Sequence, residues 1–113
     1  MASEVKSSSD ISKVLLLDFY GQLLTDKAYG IADLYLNEDM SLSEISEELG
    51  ISRQAVHDTL RRAVKALENY EQKLCLVDRF LELRGVAAKA LKEIDSGRSS
   101  SARTELLKLI EKI

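Results

Sequence analysis

Between Ser52 and Lys65 the chain gathers side chains suited to holding a nucleic acid: Ser52, Arg53, Gln54, His57, Arg61, Arg62 and Lys65. A guanidinium group forms paired hydrogen bonds with phosphate or a guanine edge, and a side-chain amide does the same with adenine. A serine at a helix start stands among amide N–H groups that attract phosphate. Asp58 alone opposes the positive run.

Bond-making chemistry finds no comparable constellation. His57 is the single histidine. It has no ligands at metal spacing, and no serine or cysteine is arranged beside it as a nucleophile. Cys75, the single cysteine, excludes an internal disulfide and reads as a small core residue. Tyr20, Tyr29, Tyr35 and Tyr70 could stack on bases, but Tyr20 and Tyr35 fall at core-like positions, so packing is favoured. Glu38-Asp39 reads as a solvated helix end. A glycine-rich phosphate loop, an HExxH pair and an EF-hand loop are all missing from the sequence. These residues describe a binding module and not an enzyme, with no cofactor and no metal implied.

The elements that must position the basic cluster are written in local signals. Ser41 with Glu44 three residues on has the form of a capping box, and Met40 can staple onto Ile45. The helix so begun runs to Leu49, where Gly50 supplies a left-handed terminating residue. Ile51 turns into the angle between helices, and Ser52 is a second N-cap. Ala55, Val56 and Leu60 then line the inner face of the following helix. Two capped helices about a glycine turn make a helix-turn-helix, whose second helix presents its start to a groove. The plainer alternative is a helical hairpin that uses this scaffold for protein contact alone.

Elsewhere, Asp10 is a candidate N-cap for a helix over 11–24, with Ile11, Val14, Leu15, Phe19 and Leu23 as its apolar stripe. Thr25 caps a second helix reaching toward residue 39, with Ile31, Leu34 and Tyr35 inward. Gly30 weakens it by about 1 kcal/mol relative to alanine. From Ser52 the helical pattern continues past residue 80, and Leu60, Leu67, Leu74 and Leu81 recur every seven residues. Glu71 and Asp78 interrupt the intermediate position that Val64 fills. Tyr70, Cys75, Val77 and Phe80 widen the stripe, which suits packing against several helices better than a two-stranded seam. Gly85 ends this run; VAAKALKEI, a serine-rich linker over 96–101 and a terminal amphipathic helix follow.

The resulting organisation is a flexible tail over 1–9, a helix-turn-helix domain with a long recognition helix over 10–84, and a helical arm over 85–113. Apolar surface along 60–81 and on the last helix exceeds what so small a core can hide. That predicts a homodimer through the C-terminal helices.

The bulk properties agree. With 113 residues, 45% of them hydrophobic, and no proline, the chain suits one all-α domain with an appended arm. The net charge of −3 argues against an avid, non-specific nucleic-acid binder. Charge is unevenly placed, however: acidic residues crowd positions 38–48 and basic ones positions 53–65. A local basic face can contact phosphate on an acidic molecule. The N-terminus has no apolar core of a secretion signal, and no stretch approaches the roughly 18 apolar residues of a membrane span. These features point to the cytoplasm and to no membrane insertion.

The residues also carry a family resemblance. Leu24-Thr25-Asp26-Lys27, Leu34-Tyr35, Glu38-Asp39, Ser41-Leu42-x-Glu44-Ile45 and Ile51-Ser52-Arg53-Gln54-Ala55-Val56 resemble region four of bacterial sigma factors. The chain is more closely similar to the small YlxM family through Asp18-Phe19-Tyr20-Gly21, Leu23-Leu24-Thr25, Ser52-Arg53-Gln54-Ala55-Val56-x-Asp58 and Leu67-Glu68-x-Tyr70-Glu71-x-Lys73-Leu74. The likeness covers residues 17–76. It departs at 28–32, Ala-Tyr-Gly-Ile-Ala, and at His57, where a tyrosine is usual.

This resemblance implies an all-helical, sigma-region-four-type winged-helix-like DNA-binding fold. It further implies an accessory or regulatory role in the signal recognition particle pathway of Gram-positive bacteria, where such genes usually stand beside those of the particle. Arg53, Gln54, His57 and Arg61 would form the recognition surface. The partner would be DNA, the particle's small RNA or its GTPase. A protein adaptor without nucleic-acid contact and a sigma-like transcriptional regulator remain open alternatives.

Overall fold

The computed structural model describes residues 8–112, with side chains described from residue 12 onward. Within them run α1 (Ser8–Tyr20), a short 3-10 turn (Gly21–Leu23), α2 (Asp26–Leu36), α3 (Leu42–Leu49), α4 (Arg53–Leu74), α5 (Leu76–Asp95) and α6 (Ser99–Lys112). The described residues contain no strand, as the composition predicts. They divide into two compact units, one ending at Cys75 and one beginning at Leu76.

In the first unit α4 is the pillar on which α1, α2 and α3 pack. Val56, Leu60, Ala63 and Leu67 recur at intervals of three and four and therefore form one buried stripe. Against it lie Leu16, Leu17 and Tyr20 from α1, Ile31, Ala32 and Leu36 from α2, and Ile45 from α3. The second unit is an antiparallel helical hairpin. Glu82 pairs with Lys112, Lys89 with Glu105 at 3.7 Å, and Glu93 with Arg98 at 2.5 Å beside the turn.

The capping signals act where the sequence places them. Ser41 Oγ accepts from the Glu44 N–H at 3.1 Å, while Glu44 Oε1 accepts from the Ser41 N–H at 2.8 Å. Gly50 ends α3 at φ 67° and ψ 31°, a left-handed conformation open to glycine at little cost. Thr25 caps α2 through the Ala28 N–H.

Several expectations are corrected. Asp10 lies inside α1 and does not cap it. Residues 1–7 of the expected tail and the side chain of Ile11 lie outside the described residues, whereas Ser8 and Ser9 are helical. Burial on α1 centres on Leu16, Leu17 and Tyr20, and Leu23 is exposed. The apolar run Val14–Leu17 leaves the helical phase undecided, and the 3-10 turn after Tyr20 carries Leu23 off the stripe. On α2, Ala32 and Leu36 are buried beside Ile31, while Leu34 and Tyr35 are half-buried.

The helix from Ser52 does not run past residue 80. It stops at Leu74, and Cys75 takes a left-handed conformation at φ 55° as its C-cap. Cys75 is accordingly exposed instead of a core residue. Leu60 and Leu67 are buried but Leu74 and Leu81 are exposed, so the seven-residue repeat is not one packed seam. Gly85 does not terminate a segment; it sits inside α5. The expected linker over 96–101 shrinks to Ser96–Arg98, with Gly97 at φ 80° making the turn.

Candidate nucleic-acid interface

α3, the turn at Gly50-Ile51 and α4 form the helix-turn-helix, and α3 and α4 pack directly on each other. Ser52 sets where α4 begins: its Oγ accepts from the Ala55 N–H at 3.0 Å. One lone pair is used by the cap, and the O–H proton stays available to an incoming oxygen.

Arg53, His57, Arg61 and Lys65 follow at intervals of four, so they climb one side of α4 as a ladder. All four are exposed, and Arg53 to Lys65 spans about 18 Å of helix axis at about 1.5 Å per residue. Arg62 is also exposed, about 100° around the helix from Arg61. Among the described residues no carboxylate pairs with Arg53, Arg61, Arg62 or Lys65. Unpaired cations on an exposed helix are free to meet an external anion.

Gln54 is placed differently. Its Nε2 donates to Asp58 Oδ1 at 2.9 Å, one helical turn along. The same carboxylate oxygen lies 3.7 Å from His57 Nδ1. Asp58 therefore holds the amide of Gln54 and sets one negative charge against the ladder. The structure thus brings Arg53, His57, Arg61 and Lys65 together on one side. Ser52 and Gln54 stand at the helix start, and Arg62 lies to the flank.

A groove of about 610 Å³ lies beside the ladder, and sequence reasoning missed it. Lys13 from α1, Tyr35 and Leu36 from α2 and Leu42 from α3 line it with residues of α4. One signal was available. Lys13 precedes Leu17 and Tyr20 at intervals of four and three, so a lysine stands on the core-facing side of α1 where an apolar residue would continue the stripe.

The described residues hold no group of three or more His, Cys, Asp or Glu placed to bind a metal ion. None of their helices is long and apolar enough to cross a membrane.

Comparison with known proteins agrees with the helix-turn-helix fold. Residues 8–110 match the family described as "UPF0122: Putative helix-turn-helix protein, YlxM / p13 like". A UPF0122 protein of Thermoanaerobacter sp. (strain X514) is 50% identical over 99 residues, covering 88% of this chain and 85% of the relative. One from Acetivibrio thermocellus is 48% identical with the same coverage of both chains. The UPF0122 protein YlxM of Bacillus subtilis (strain 168) is 43% identical over 99 residues, 87% of this chain and 89% of the relative.

Proposed function

The chain belongs to the YlxM / p13-like helix-turn-helix family, and we propose that it is a non-enzymatic, cytoplasmic regulator that grips nucleic acid with α4. The observation that carries the reading is the exposed ladder on the second helix of a helix-turn-helix, whose Arg53, Arg61 and Lys65 have no carboxylate partner among the described residues. Arg53, His57 and Gln54 lie at the N-terminal end that meets a groove in this motif. Arg61, Arg62 and Lys65 stand further along and suit phosphates. Ser52 adds a hydroxyl among the amide N–H groups of the helix start.

The resemblance to the YlxM family extends the proposal to the signal recognition particle pathway, with DNA or the particle's small RNA as the nucleic acid. The C-terminal hairpin would supply a homodimer contact, because Leu91, Ile94 and Ile110 leave 60%, 50% and 65% of their surface exposed.

Titration of the purified chain with duplex DNA and with the particle's small RNA, at several salt concentrations, tests the nucleic-acid reading. Each phosphate contact contributes about −0.9 to the slope of log K against log salt on duplex DNA. Arg53→Ala and Arg61→Ala are expected to flatten that slope. Absence of binding to both nucleic acids at low salt would sink it.

A further inference from the structure

We propose that the groove beside α4 docks an acidic amphipathic helix of a protein partner. The groove goes beyond the nucleic-acid reading, because its floor and one edge lie outside the ladder. It is elongated. Its α4 lining runs from His57 to Gln72, about four helical turns or about 22 Å. That length matches a helix better than a compact metabolite.

The floor is apolar. Leu36 and Leu60 are buried beneath it, and Tyr35, Leu42 and Val64 keep part of their surface open. Covering such surface removes apolar area from water and favours an occupant with apolar side chains. The edges are basic. Lys13 on one helix and Arg61 and Lys65 on another line the groove, and no described carboxylate pairs with them. Glu68 is the one acidic residue in the lining.

A phosphate backbone would use these cations but leave the floor wet. A helix carrying apolar residues at i, i+3, i+4 and i+7, flanked by carboxylates, satisfies both features at once. Because Arg61 and Lys65 belong to the ladder as well as the groove, an occupied groove would compete with nucleic acid for two of its cations. The site so defined couples a protein partner to release of nucleic acid.

The probe is a fluorescein-labelled synthetic peptide of about four helical turns, with leucines at those positions and glutamates between them. Its anisotropy is followed with the full chain at low salt. Saturable binding is expected, with loss when the glutamates become lysines. Val64→Glu should weaken it about tenfold, as removal of a central anchor does, and Lys13→Glu should weaken it most at low salt, where an edge charge is least screened. Arg53→Ala, which lies outside the groove, should leave it unchanged. Circular dichroism of the variants checks that the helices persist, and amide chemical shifts in the wild-type chain should move at Leu42, Leu60 and Val64.

Three outcomes overturn the proposal. One is peptide binding that does not saturate, and another is wild-type binding by both groove variants. The third is loss of duplex binding or self-association in Lys13→Glu and Val64→Glu while peptide binding stays intact, which assigns the groove to nucleic acid or to a second copy. Failure of the nucleic-acid reading alone would leave peptide binding intact and Arg53→Ala silent in both assays.

Discussion

The hydroxyl of Tyr20 donates to Glu71 Oε1 at 2.5 Å, joining residues 51 positions apart and fastening the end of α1 to the last turn of α4. Tyr20 is 1% exposed, and its ring stands 6.0 Å from that of Tyr70. The C-terminal end of α4 is thereby tied to the first helix of the fold. A hydrogen bond to a charged group contributes about 1.5–3 kcal/mol. Tyr20→Phe should lower unfolding free energy by about that amount in urea titration, with the apolar packing of the ring retained. A midpoint unchanged from the wild type would show that the bond contributes nothing.

The turn geometry gives a backbone prediction. A Cβ on Gly50 meets nothing within 4 Å, yet the residue stands at φ 67°. Gly50→Ala therefore costs conformational energy alone, about 1 kcal/mol. Ser52→Ala removes the cap of α4 and should also cost about 1 kcal/mol. Thermal unfolding of both variants measures these losses.

Acid should weaken both units. The Ser41 backbone N–H, and then its hydroxyl, hold the carboxyl of Glu44 below its ordinary value of 4.5. The Lys112 ammonium does the same for Glu82. A carboxylate depressed in the folded state stabilises it above the ordinary value, and that contribution fades as pH falls through the lower folded-state value. Melting temperature should thus be insensitive to these groups at neutral pH and decline below about 4.5, the unfolded carboxylate range. Glu44→Gln and Glu82→Gln should each make the decline shallower in melts recorded from neutral to acid pH.

Asp58 restrains the ladder. It holds the Gln54 amide and stands 3.7 Å from the imidazole of His57. Asp58→Asn removes a negative charge from the proposed interface, so nucleic acid should bind several-fold more tightly at low salt, with the gain shrinking as salt screens it. Weaker binding would mean that ordering Gln54 outweighs the charge.

The dimer prediction rests on the hairpin. Ile94→Glu and Ile110→Glu place charges on exposed apolar positions, and sedimentation should show dissociation if these faces meet in a second copy. A wild-type monomer at micromolar concentration would refute the dimer outright.

Much of the recognition scaffold was legible because its determinants are neighbours in sequence. Ser41 with Glu44, Gly50, and Ser52 with Ala55 each close a hydrogen bond or a turn within a few residues, so their types alone specify the geometry. The spacing of the ladder was equally legible, since exposed residues four apart on a helix stand about one turn above one another. The groove was not. Lys13, Tyr35, Leu42 and Val64 come from four helices, and only packing brings them to one cavity.

By itself, the sequence determined an all-α chain, the capped helix-turn-helix and the basic side of its second helix, because propensity, capping and helical period are local physics. Tertiary structure decided which face of α1 is buried, since four consecutive apolar residues, Val14 to Leu17, offer a stripe in more than one phase. It also decided the break at Cys75, where no glycine or proline marks a stop and a cysteine nevertheless takes φ 55°. Such a conformation costs about 1 kcal/mol outside glycine. The Cys75 backbone N–H donates to the Glu71 carbonyl there and closes the last turn of α4.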